Sequence, residues 1–212
     1  MNTRNISGYT ANEEIANSLT HILGVVLSIY VLVSLLVQGL NSDNPTMIIS
    51  YLIYGLSLIA LYTSSSLYHL AKSEDKKKLF KKFDHICIYY LIAGSYTPLM
   101  LIKVGGQTGT LVTAIVWSIA LLGTIYKLKV KKSNKLISTS TYLLMGWIVI
   151  LFWPKVSTSL SSESIKWLGI GGAFYSIGVI FYSLKKIPYT HAIWHLFVLA
   201  GSFAHYFSIK VA

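Results

Sequence analysis

Two histidines four residues apart, His191 and His195, lie in the segment HAIWHLFVLAGSFAHYF, which is otherwise apolar enough to sit in a bilayer. On a helix this spacing puts both imidazoles on one face, about 6 Å apart along the axis. Ionisable groups at membrane depth are costly to keep and mark a candidate functional site. A third histidine, His69, closes an earlier apolar run just before a lysine-rich stretch, and Ser65 precedes it by four residues on the same face. Asp84 opens the next apolar run, directly after Lys81, Lys82 and Phe83. Three neutral imidazoles from two helices suit zinc, which takes nitrogen ligands tetrahedrally and, with three protein ligands, leaves the fourth position to water. His69, His191 and His195 are therefore the expected metal ligands. Asp84 and Ser65 are the expected catalytic partners, able to hold that water or orient an imidazole. Zinc lowers the pKa of its water to roughly 7, so the expected chemistry is hydrolytic. A bare HxxxH also fits histidines that cap helix ends or bond across a bundle, and the argument for a metal rests on where the other residues fall.

That placement follows from the apolar segments. Hydrophobic residues make up 54% of the 212, charged residues only 12%, and mean hydropathy is +0.60, which excludes an ordinary soluble domain. Scanning for runs of about 20 apolar residues gives seven spans: Leu19 to Gly39, Met47 to Leu70, His85 to Ile102, Gly109 to Tyr126, Leu136 to Trp153, Ile165 to Leu184 and Ala192 to Ile209. The expected fold is an all-α, seven-helix transmembrane bundle forming one domain over residues 1–212, with residues 1–12 as a disordered tail. The N-terminal residues lack the apolar core of a cleavable signal peptide, so the first span is expected to serve as an uncleaved insertion signal. The single cysteine, Cys87, excludes an internal disulfide and reads as packing.

The net charge of +11 is distributed by loop. The stretch KSEDKKKLFKK after span two has six lysines, KLKVKKSNK after span four has five, and Lys185 and Lys186 follow span six. The alternate loops and the C-terminal tail carry only Lys103, Lys155, Lys166 and Lys210. The positive-inside rule then places the N-terminus in the cytoplasm and the C-terminus outside. The basic excess reports topology and attraction to anionic lipid rather than nucleic-acid binding. The same topology, deduced without any histidine, brings His69, Asp84, His191 and His195 to helix ends at one leaflet, as a shared site requires.

Other motifs are open or bland. Glu14, Asn17 and His21 in EEIANSLTH share a helix face and serve either as a helix-start cap or beside the metal. His205 lies about 21 Å further along its helix than His191, too far to bind the same ion, and is expected to bond within the bundle. Gly105 to Gly109 lacks the lysine of a phosphate loop and reads as a turn. Gly169, Gly171 and Gly172 suggest close helix packing. Pro98 predicts a kink. Asn5-Ile6-Ser7 matches a glycosylation acceptor only by chance.

SSSLYH, FDH with its aspartate fifteen residues after that histidine, HAIWHLFVLAGSFAH, EEIANSLTH and AGSYTP together resemble the haemolysin III branch of the progestin and adipoQ receptor family, over nearly the whole chain. The resemblance implies seven helices, a cytoplasmic N-terminus and a zinc near the inner leaflet. Its Ser-x-x-x-His falls on Ser65 and His69, its aspartate on Asp84, and its His-x-x-x-His on His191 and His195. It also implies kinship with proposed ceramide amidases. The chain lacks the long N-terminal region of the receptor branch, which speaks against hormone reception. The haemolysin name implies cytolysis, for which the sequence offers no secreted-toxin feature. The reading is a zinc-dependent hydrolase of lipid amide or ester bonds in a bacterial plasma membrane, with membrane lipid as substrate. The alternative is a sensor or channel-like protein with a structural zinc.

Overall fold

The computed structural model describes residues 7–130, 134–184 and 186–212. Among the described residues, seven helices are long and apolar enough to cross a membrane: α1 (Ala11–Leu40), α2 (Pro45–Leu70), α3 (Glu74–Val104), α4 (Gly106–Lys129), α5 (Lys135–Ser159), α6 (Ser162–Ser183) and α7 (Thr190–Val211). No strand occurs among the described residues. The all-α, seven-helix expectation holds.

Helix starts reach further than hydropathy alone places them, because polar residues cap them. Thr10 and Glu13 form a reciprocal capping box, in which Thr10 Oγ1 accepts from the Glu13 N–H (3.3 Å) and Glu13 Oε2 from that of Thr10 (2.9 Å). Helix α1 thus begins at Ala11 rather than Leu19, while residues 1–6, half of the expected tail, and Asn5 with them, lie outside the described residues. Likewise Ser73 caps α3, with Glu74 and Asp75 favourably placed at the positive end of its dipole. The lysines from Lys76 to Lys82 therefore ride on a helix instead of a loop.

Two helices depart from α geometry. At Pro98, which has no N–H to donate, α3 passes into a π-helical stretch, Leu99–Val104, closed by the Gly105 N–H donating to the Met100 carbonyl at 2.8 Å. Pro98 thus marks a change of hydrogen-bond pattern where a kink was expected. Helix α5 is interrupted by a 3-10 stretch, Ile148–Phe152. The Tyr96 hydroxyl spans that break, donating to the Gly146 carbonyl (2.7 Å) and accepting from the Val149 N–H (3.0 Å), so neither backbone group is left unbonded in an apolar medium.

Helix α1 packs on α2 and α7, α2 on α3, α3 on α4, and α6 on α7, whereas α5 touches its neighbours sparsely. Side chains such as Leu19, Val26, Val33 and Leu122 face outward, as lipid-facing positions do. The interior is rich in tyrosines, several of whose hydroxyls find partners, as when Tyr54 donates to the Ser202 carbonyl (2.9 Å) and Tyr62 to Ser202 Oγ (2.6 Å). Between α3, α5, α6 and α7 lies an almost wholly apolar cavity of ≈ 510 Å³. It reaches from Asp84 at one end to Met100 and Trp153 at the other. Its α5 wall includes Trp147 and Ile150, both of them exposed residues.

Candidate metal centre

His69 sits in the last turn of α2, and His191 and His195 in the first turns of α7, so the packing of α1 between these helices closes one compact cluster. One ring nitrogen of each lies within 4.8 Å of the others, and His69 Nε2 is 3.3 Å from His191 Nε2. His69 and His195 are buried and His191 is half-buried.

Hydrogen bonding fixes which nitrogens are turned inward. A carboxylate only accepts, so the 2.6 Å contact between His69 Nδ1 and Glu14 Oε2 puts the proton on Nδ1 and the lone pair on Nε2. Glu14 is itself held by Lys77 Nζ at 2.6 Å and by the Ser7 hydroxyl. His195 Nδ1 lies 3.1 Å from the Asn17 backbone carbonyl, which can only accept, and 3.1 Å from Thr20 Oγ1. Its Nε2 therefore also presents a lone pair, buried and without a partner. The His69 lone pair meets only His191 Nε2, at 3.3 Å, and the buried His195 lone pair meets no donor, an arrangement that a metal ion would satisfy. The donor set fits a metal that favours imidazole, with Glu14 and the Asn17 carbonyl orienting the ligand rings.

Asp84 and Ser65 are brought together one turn deeper than His69. Asp84 is buried beside Ser65, with Lys81 and Lys127 as nearby positive charges, and it lines the end of the apolar cavity. Ser65 Oγ, fully buried, makes no hydrogen bond of normal geometry. Lys127 donates to Ser138 Oγ (2.7 Å).

The two open readings of the α1 motif are now separable. The helix cap falls to Thr10 and Glu13, and Glu14, Asn17 and His21 all reach the histidine cluster. His21 lies flat on His195, ring centroids 3.5 Å apart at 18°. Lys77, Tyr9 and Thr20 also belong to this neighbourhood. Nothing in the sequence singles out Lys77 within its lysine run. Its one distinguishing mark is that it falls on the buried face of α3, where Nζ also donates to the His69 carbonyl (3.3 Å). His205 is remote from the cluster, with its ring against Gly171 and its edge toward Tyr175 (5.3 Å, 75°). Cys87 is a free, half-buried thiol packed against the core.

Fold and site define a multi-pass membrane protein of seven helices with an intramembrane histidine cluster able to hold a metal. The chain belongs to the haemolysin III family: the family described as "Haemolysin-III related" matches residues 9–206. It is similar to a hemolysin-3 homolog of Bacillus subtilis, 44% identical over 201 residues that cover 95% of this chain and 94% of the relative. It also resembles hemolysin-3 of Bacillus cereus, at 39% identity over 93% of this chain and 90% of that protein. The human monocyte to macrophage differentiation factor is 31% identical over 94% of this chain and 84% of its own length. The Bacillus relatives point to a bacterial plasma membrane.

Proposed function

We propose that this protein is a zinc-dependent hydrolase of lipid amide or ester bonds, with the histidine end of the bundle facing the cytoplasm. The observation that carries the reading is that the apolar cavity holds the buried Asp84 carboxylate at one end and is lined there by His21, whose ring lies on His195 of the three-imidazole cluster. His69, His191 and His195 would hold the ion, which supplies Lewis acidity to activate water and polarise a carbonyl. Glu14 and the Asn17 carbonyl keep the ligand imidazoles in the tautomers that present Nε2. The cavity accepts an apolar chain from the bilayer past α5, which places the polar end of a lipid beside Asp84. Asp84 positions the attacking water and takes its proton, and Ser65 holds the carboxylate or the substrate. Orientation is supported by the lysines concentrated near the histidine end.

The test is turnover of a panel of membrane lipids by detergent-purified protein. Asp84→Asn should keep its metal and lose at least about a hundredfold in rate; unchanged hydrolysis with metal retained removes Asp84 from the mechanism. The second reading is a structural zinc in a non-catalytic sensor or channel-like protein. It is favoured by the way the cluster ties α2 and α7 to α1. That reading predicts that removing metal lowers Tm or alters ion flux while no lipid is cleaved.

A further inference from the structure

Of the three clustered imidazoles, His191 alone is only half-buried, and the side it leaves open is where the chain preceding α1 passes. The Tyr9 ring stacks on His191 with centroids 5.0 Å apart at 29°, and tilts over His69 at 6.2 Å. Its hydroxyl is not what holds it there. The neighbouring residues are tied down on both sides: the Ser7 hydroxyl donates to the Glu14 carboxylate, and Thr10 is locked in the capping box with Glu13. Glu13 Oε1 also accepts from the Tyr189 N–H (3.1 Å), fastening the start of α1 to the residue before α7. Gly8 has φ of +87°, so the turn that brings Tyr9 over the histidines is made by the residue type that adopts this backbone without strain.

These contacts have two consequences. His195 and His69 are buried, at 0% and 3% exposure, so His191 is the ligand that water reaches most directly. From the cavity side most of the lining is apolar, with His21 and Asp84 among the polar exceptions, and a divalent ion crossing it would have to shed most of its water. The approach from the lysine-rich end passes His191, and among the described residues the Tyr9 ring lies over it. A single stacked ring is strong enough to shut the site most of the time and weak enough to open often.

We propose that Ser7 to Thr10 form a strap that gates exchange of the metal between the histidine cluster and water, with Tyr9 as its stopper. The proposal rests on reading the cluster as a metal site, but not on any turnover. Opening swings Tyr9 off His191 about Gly8 and leaves the helix cap in place. A gate changes entry and exit together; a residue that merely shapes the ligand set changes the equilibrium affinity.

The experiment follows zinc release from the full-length, zinc-loaded protein in detergent to excess chelator, and zinc uptake by the stripped protein, for wild type, Tyr9→Ala, Tyr9→Phe and Ser7→Ala. Tyr9→Ala should speed release and uptake each about tenfold at unchanged Kd, the factor that one lost stacking contact allows. Tyr9→Phe keeps the ring and should behave as wild type, and Ser7→Ala should fall between. Release and uptake rates of Tyr9→Ala equal to wild type overturn the strap. A change in Kd with no matched change in uptake overturns it equally, because it makes Tyr9 a positioning residue. A wild-type protein that binds no zinc removes the metal-site reading itself and so is distinguishable from failure of the gate.

Discussion

Glu14 shows how much a single side chain sets in this site. It accepts from His69 Nδ1 and from Lys77 within 2.6 Å, so one carboxylate decides which nitrogen of His69 is free and where the ring points. Glu14→Gln can still accept from His69, but loses charge against both partners. It should weaken zinc binding by roughly 10- to 100-fold, measured by competition with a chromogenic chelator; affinity equal to wild type means that the carboxylate does not orient the ligand. Gly171→Val is a residue change of the opposite kind, far from the cluster. Its side chain would have to enter space filled by the His205 ring, so Tm should fall, by the equivalent of about 1–3 kcal/mol, with zinc content unchanged. The residues that could bind metal were legible because histidines at helical spacing stand out against apolar neighbours. Lys77 and Thr20 were not: each is an ordinary residue type whose meaning comes from which face of α3 or α1 turns inward, and that is settled only by packing.

At the scale of elements, hydropathy located all seven helices but not their polar beginnings. Thr10 and Glu13 extend α1 back to Ala11, and Ser73 extends α3 back to Glu74, and these first turns carry Glu14 and Lys77 to His69. Hydropathy is blind to such turns because their stability comes from caps. Pro98 was legible as an irregularity, whereas the 3-10 interruption of α5 at Ile148–Phe152 was missed although Gly146 precedes it and Pro154, which has no N–H for the Ile150 carbonyl, follows it. Tyr96 satisfies that interruption from another helix. Tyr96→Phe strands the Gly146 carbonyl and the Val149 N–H, and should destabilise the protein by about 1–3 kcal/mol. Hydrogen exchange in α5 should rise while exchange in α1 and α2 stays low; uniform change across the helices would deny Tyr96 this local role.

Taken as a whole molecule, the chain places a polar, metal-fitting cluster at its lysine-rich end and an apolar cavity running from that end toward the other leaflet, beside its most loosely packed helix. Charge distribution then predicts orientation. A single cysteine placed at Gly106, in a Cys87→Ser background, should react with an impermeant thiol reagent added outside intact cells, and one at Lys76 should not; the reverse pattern would invert the topology. Everything argued for the site depends first on whether the three imidazoles hold an ion. The direct measurement is metal content of purified protein by mass spectrometry, wild type beside His191→Ala/His195→Ala, with helical content checked in both. The account predicts about one zinc per chain in the wild type and none in the double variant at equal helicity. Wild-type protein free of zinc after purification in zinc-supplemented, chelator-free buffer, or a double variant that keeps it, would contradict the account.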